Sequence, residues 1–522
     1  MFSKLKKMVK SLSRPNSTEM KPLTEQLRIS GNLIENEKYL RAVFSNSYDV
    51  IYRKIHIGKG DSACKALFIA ISGMFDQDQV QKNILDPLME VEDCSSEILH
   101  GMETEIISAH NCGETRGFED AVKSILKGEP ALFINGLEKA YLLRSATWEM
   151  RGIQEPVTET VVRGPREGFV ETLQVNTSML RRKIRNSRLK IEHLEIGEVT
   201  ETPVAVAYID GIANKELIKE VKKRLTGIKT DAILESGYIE EFIEDAPLSV
   251  FPTVSNTERP DITAAKLLEG RVAILTEGTP VVLVVPYLMF ESFQNAEDYY
   301  SRPYLSSLVR ALRLTGFFFS SLAPGIYLAF QNFHIEVFPT DLLISFAAAR
   351  EGVPFPLFAE ILFMLLGFEF LREASVRMPR PVGQAISIVG ALILGESAVN
   401  AGFVGSPTII VIAVSAISGL VVPSLNDITS IMRLVYLVAA ALFGMYGIML
   451  VLMFWLIHVN SLTSFGVPYL GSWYPLSLSS WKDFIFRAPH WMQNRRPEPL
   501  NPSDIVRQPP GQKTQVKKGD KE

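Results

Sequence analysis

From about Leu314 to Val459 the chain carries apolar runs too long and too little interrupted for an ordinary soluble core. A helix rises about 1.5 Å per residue, so roughly 20 apolar residues cross a hydrocarbon layer about 30 Å thick. Val435–Ile457 (VYLVAAALFGMYGIMLVLMFWLI) reaches that length without a single charge. Leu314–Phe333, Phe355–Phe370, Val382–Phe403 and Pro407–Val422 are further candidate spans. The last is shorter and rich in the small residues that let helices approach closely in lipid. The expectation is an integral membrane protein with four to six spans. Whole-chain averages of 47% hydrophobic and 21% charged residues conceal this, because they mix a polar front half with an apolar rear.

The net charge of −4 offers no general attraction to nucleic acid. Cys64, Cys94 and Cys112 lie in the front half without CxxC spacing, which argues against a disulfide framework and suits a reducing compartment. Cys94, His100, His110 and Cys112 are close in sequence but match no tight zinc spacing. The basic N-terminus lacks the apolar stretch of an export signal, so the front half is expected in the cytosol. Arg302, Arg310 and Arg313, just ahead of the first span, agree with the positive-inside rule.

The front half alternates strand and helix patterns. Asp49–Ile57 and Ala66–Ile71 read as strands, and Asn135-Gly136 between two apolar runs reads as a hairpin turn. A helix over about 171–185 ends in Arg181, Arg182, Lys183 and Arg185. Those cations either complement the helix dipole or bind phosphate and lipid head groups at the cytosolic face. Pro203–Ile209 is a buried strand, Asn214 caps the helix that follows, and the interruption at Glu277-Gly278 turns Arg271–Val285 into a hairpin. The fold expected is an α/β cytosolic region of two subdomains followed by an all-α polytopic membrane bundle. Its boundaries are a basic tail to 29, subdomains over 30–150 and 151–300, the bundle over 301–460, a membrane-proximal segment to 497, and a disordered tail from 498. No phosphate loop, dinucleotide fingerprint, zinc-protease or serine-hydrolase motif is present, so neither an enzyme nor a cofactor is expected.

Ionisable groups inside the apolar half need a partner or water. Glu360 and Glu369 fall within one span, with Arg372 and Arg377 toward its cytosolic end. Glu396 and Asn400 are four apart on another, flanked by small residues. A carboxylate beside an amide either lines a cation path or clamps two helices together. These four polar residues are the candidate pore or intramembrane positions.

Six segments taken together resemble the A subunits of GerA-type spore germinant receptors. They are Pro156–Arg185, Val206–Leu217, Phe251–Gly270, Arg302–Leu314, Leu366–Pro379 and Phe465–Leu470. The resemblance implies a nutrient receptor of the spore inner membrane, acting with a transporter-like B subunit and a lipoprotein C subunit. It also implies a homo-oligomeric ring that forms a nutrient-gated cation channel. The competing readings are a non-conducting scaffold and a secondary transporter, and the latter would show inverted repeats with broken helices.

Overall fold

The computed structural model describes residues 28–58, 63–90, 112–147, 156, 159–379, 390, 395–471, 483–509 and 512. The chain divides into two compact units, Met1–Gly152 with Gln174–Glu192, and Ile153–Leu173 with His193–Glu522. The basic tail up to residue 27, Cys94, His100 and His110 lie outside the described residues, whereas Ile29, expected within that tail, is buried.

In the first unit α1 (Leu33–Val43) starts where the Asn32 side chain accepts the Ile34 amide. It leads into the antiparallel pair β1 (Val50–Ile57) and β2 (Cys64–Ile71). Then come β3 (Gly113–Thr115), α2 (Phe118–Ile125), β4 (Ala131–Ile134) and β5 (Ala140–Leu142). The β4–β5 hairpin turns at Asn135-Gly136, as expected, with Gly136 at φ +91°. The sheet order is β1-β2-β4-β5-β3. Cys64 is disulfide-bonded and Cys112 is a free thiol. The helix α3 (Leu173–Lys183) follows.

The second sheet holds β6 (Leu189–Ile196), β7 (Thr202–Ile209), β8 (Ser255–Thr257), β9 (Val272–Thr276) and β10 (Val282–Val285), in the order β6-β7-β9-β10-β8. Its helices are α4 (Lys215–Thr226), capped by Asn214, α5 (Ser236–Ile243) and α6 (Pro260–Glu269).

The second sheet repeats the topology of the first, strand for strand. Details recur with it: Asp76 and Asn214 each cap the helix after the second strand. Gly128 and Gly270, both at positive φ, turn toward the carbonyls of Met74 and Ile212. The hairpin glycines Gly136 and Gly278 follow at the same offset. The front of the chain is therefore a tandem pair of one βαβ-rich plan, a duplication that composition and motif reading did not find.

Glu240 on α5 lies beside its own helix's acidic neighbours. Burial, and after it the charges of Glu244 and Glu235, push its carboxyl up to about 7 from 4.5. Within that window the folded chain holds a proton that the unfolded chain releases, so stability falls as pH rises and stays lower above it. Glu240→Gln is expected to raise the melting temperature of the detergent-solubilised chain at pH 8 and leave it unchanged at pH 4. An equal shift at both values would contradict this.

The rear of the second unit is helical: α7 (Pro303–Phe333), α8 (Thr340–Ala349), α9 (Leu357–Arg377), α10 (Ser406–Leu420) and α11 (Asn426–Ser461), with residues 395–400 also helical. Among the described residues, one helical segment, Pro423–Ser461, is long and apolar enough to cross a membrane; α8 and α10 are shorter apolar helices.

That long segment is not a single rod. Gly444 has φ +59° and ψ −140°, far from helical values. A Cβ on Gly447 would collide with the carbonyl oxygen of Ala439, although residues eight apart in a straight helix stand about 12 Å apart along its axis. Both ends also return to the α/β region: Ser424 donates to the Ser292 carbonyl, and His458 lies 2.9 Å from the Ser249 hydroxyl. The α11 segment is thus a helical hairpin folded at Gly444. Val435–Ile457, expected as one crossing, is instead parts of two arms joined at a glycine turn.

The neighbours give each helix a direction. Arg310, near the start of α7, binds Asp298, whereas Phe333 at its end meets Gly444, so α7 runs away from the α/β region. Packing of Gly316 on Ser418 and hydrogen bonding of Ser415 to Ser320 make α10 antiparallel to α7. Glu360 sits with Gly405 and Thr408 at the far end, so α9 also returns.

Residues 483–509 fold back as a strap over the second unit. Arg310 donates to Asp483 at 2.9 Å, Arg496 to the Leu268 carbonyl at 2.8 Å, and the Ser503 amide to the Ile212 carbonyl at 2.9 Å. Residues 498–509 were expected within a disordered tail. Instead Leu500 is buried and the strap takes the seat that the Thr147 amide takes on Met74 in the first repeat. A pattern rich in Pro and Arg hides such a segment because its order comes from docking, not from its own periodicity.

Candidate functional site: a polar network and an exposed carboxylate in the helical bundle

Four helices meet at one polar network in which Arg433, Ser320 and Ser415 are buried and Glu369 and Arg372 half-buried. Arg433 of α11 is 3% exposed, and its Nε and Nη2 donate to the carbonyl and hydroxyl of Ser320 on α7 at 3.0 and 2.8 Å. Its Nη1 stands 3.5 Å from Glu369 Oε1 on α9. Glu369 also holds Arg372 at 2.8 Å and accepts from the Ser430 hydroxyl at 2.9 Å. Ser415 of α10 donates to the same Ser320 carbonyl at 2.7 Å. A charge taken from water is tolerated only when shared in this way. The network holds two guanidiniums and one carboxylate, an excess of one positive charge.

Glu369 therefore acts as a fastener, and Arg372 is held to it and to the Ser430 hydroxyl. Arg433 stands just outside the uncharged run Val435–Ile457, so that run does not mark it as an intramembrane charge. The available signal was its place on the same helix as Ser430, one turn before that run.

Glu360 is 1% exposed. Arg350 donates to its Oε1 at 3.1 Å, while Oε2 accepts from the Gly405 amide at 3.1 Å and the Thr408 hydroxyl at 3.3 Å. A carboxylate at the N-terminus of α10, on the amide of its N-cap Gly405 and the hydroxyl of Thr408, complements the helix dipole. Glu360 is a clamp at the far end of the bundle.

Glu396 and Asn400 are exposed, four residues apart on one helical face. Gly395 packs near Ile409, in the first turn of α10, which puts the pair toward the far end. They do not join the Arg433 network. Most of Val382–Phe403 lies outside the described residues.

The basic cluster separates. Arg181 is fully buried, donating to both oxygens of Asp49 at 2.6 and 2.8 Å and to the Leu189 carbonyl at 2.8 Å. It is a structural ion pair and cannot present itself to a head group. Arg182 and Lys183 are half-buried, and exposed Arg185 donates to the Arg182 carbonyl. Arg377 is exposed and pairs with Glu373 at 2.6 Å.

Comparison with known proteins gives this arrangement its family. The model of the Bacillus/Clostridium GerA spore germination protein family matches residues 38–499. The chain is 42% identical to spore germination protein KA of Bacillus subtilis (strain 168) over 485 residues, covering 92% of this chain and 89% of that one. It is 40% identical to the uncharacterized membrane protein YfkQ of the same organism, covering 90% and 91%. Among solved structures, the N-terminal domain of the A subunit of the Bacillus megaterium spore germinant receptor GerK3 aligns with 33% identity and a TM-score of 0.41, covering 50% of this chain and 97% of that one. With nearly its whole length matched, this chain belongs to the GerA family of spore germination proteins.

Proposed function

We propose that this chain is the A-type subunit of a nutrient-germinant receptor whose helical part lies in the spore inner membrane, and that copies of it surround a cation path. The relatives' names support a role in spore germination and, for YfkQ, a membrane location. B- and C-type subunits would complete the receptor. The order α7 away, α9 back, α10 back and the two arms of α11 away and back supports six passes. A sixth pass is counted between α9, which ends near the α/β region, and α10, which begins at the far end. An even count leaves the strap on the side of the α/β region.

The observation that carries the channel reading is the outward exposure of Glu396 and Asn400. The protomer's own core carries excess positive charge at Arg372 and Arg433, which repels cations. A cation path then runs along the outer face that holds Glu396, between copies, where a carboxylate and an amide can replace part of an ion's hydration. Single-channel recording on the purified chain in planar bilayers tests this. Cation current is expected, with conductance reduced several-fold in Glu396→Ala. Absence of current from correctly inserted protein would favour a non-conducting scaffold, and uptake of labelled nutrient without current would favour a transporter.

A further inference from the structure

Between the strap and the second repeat lies a cavity of about 320 Å³ that the germination reading does not use. Pockets of this size and upward hold small molecules. One wall is apolar, made by Leu288, Met492 and the edge-on pair Phe290 and Phe484, whose rings stand 4.2 Å apart. The other wall is charged. Buried Glu291 receives both Lys266 and Arg271, and burial opposed by these two cations leaves its carboxyl below the usual range. Arg271 also approaches Glu269, Arg495 approaches Glu498, Arg496 pairs with Asp504, and Asp483 pairs with Arg310. Arg507 remains: it lines the cavity, is exposed, and has no carboxylate partner among the described residues. In the first repeat the matching seat is taken by the chain's own 145–147.

We propose that this cavity binds a small organic monoanion with a flat or branched apolar body, its carboxylate on Arg507 and its body against Phe290 and Phe484. The ligand bridges the strap to the second repeat. A guanidinium is suited to the carboxylate because it offers paired donors in one plane. The aromatic wall selects the body and the uncompensated charge selects the anion.

Equilibrium dialysis of radiolabelled benzoate against the full chain in detergent, with a detergent-only blank, tests the assignment. Saturable binding at one site per chain is expected, weakened about tenfold or more in Arg507→Glu and largely restored in Arg507→Lys. Benzamide, the neutral isostere, and inorganic phosphate, the anion without a body, should both compete poorly. Arg507 is exposed and carries no structural partner, so these variants keep the fold. No saturable binding up to about 10 mM, equal binding to Arg507→Glu, or equal competition by benzamide or phosphate would overturn the proposal.

Discussion

Gly447→Ala is expected to lower the melting temperature of the purified chain, although the same change in an exposed straight helix raises stability by about 1 kcal/mol. The sign follows from the hairpin. In a continuous helix Ala439 and Gly447 never meet, so alanine would simply reduce the entropy lost on folding. Here the added Cβ enters the carbonyl oxygen of Ala439 and crowds Phe443 as well. Neither is the end of a flexible chain that swings away, so the arms must separate. Overpacking a well-filled site costs about 1–3 kcal/mol, and a collision with backbone belongs at or above the upper end. The hairpin bears Arg433 on one arm and the Ser249 contact of His458 on the other, so opening it loosens the network and the docking to the α/β region together. Thermal unfolding followed by loss of monodispersity measures the effect. A raised melting temperature would show that residues 426–461 form one uninterrupted span.

The second large effect is expected at Asp49. Asp49→Ala leaves Arg181 fully buried with only the Leu189 carbonyl to hold it. Removing one partner of a buried pair costs about 3–5 kcal/mol, because the remaining charge loses its compensation without regaining water. The first unit should therefore become protease-sensitive, while the double change Asp49→Leu with Arg181→Met recovers most of the loss. If Asp49→Ala leaves the unit as resistant as before, Arg181 is not buried as described. The same result would return it to the role of a head-group contact.

What could be read from the sequence was local. Asn135-Gly136, the cap at Asn214 and the break at Glu277-Gly278 each rest on neighbouring residues, so a turn or helix start is visible in a few letters. The duplication was not legible, because the two repeats share topology and a handful of glycines and caps while their strands use different apolar residues. The hairpin was hidden for another reason: Gly444 and Gly447 inside an apolar run are equally what tight helix packing in lipid uses. The backbone of Gly444 and the contact of Gly447 with Ala439 distinguish the two. At the site, the sequence identified Glu360 and Glu369 as charges needing partners. It could not name Arg350 and Arg433, which lie 10 and 64 positions away and arrive through tertiary packing.

The architecture beneath the functional reading is a bundle entered and left on one side. It is tested most directly by single cysteines at Lys219, Tyr446 and Val506, all exposed, in a chain whose free Cys112 is replaced by serine. A membrane-impermeant maleimide is applied to right-side-out and inverted vesicles. The account predicts that positions 219 and 506 react only in the same preparation and that position 446, beside the hairpin turn, reacts only in the other. Labelling of 446 together with 219, or of 506 apart from it, would contradict the account.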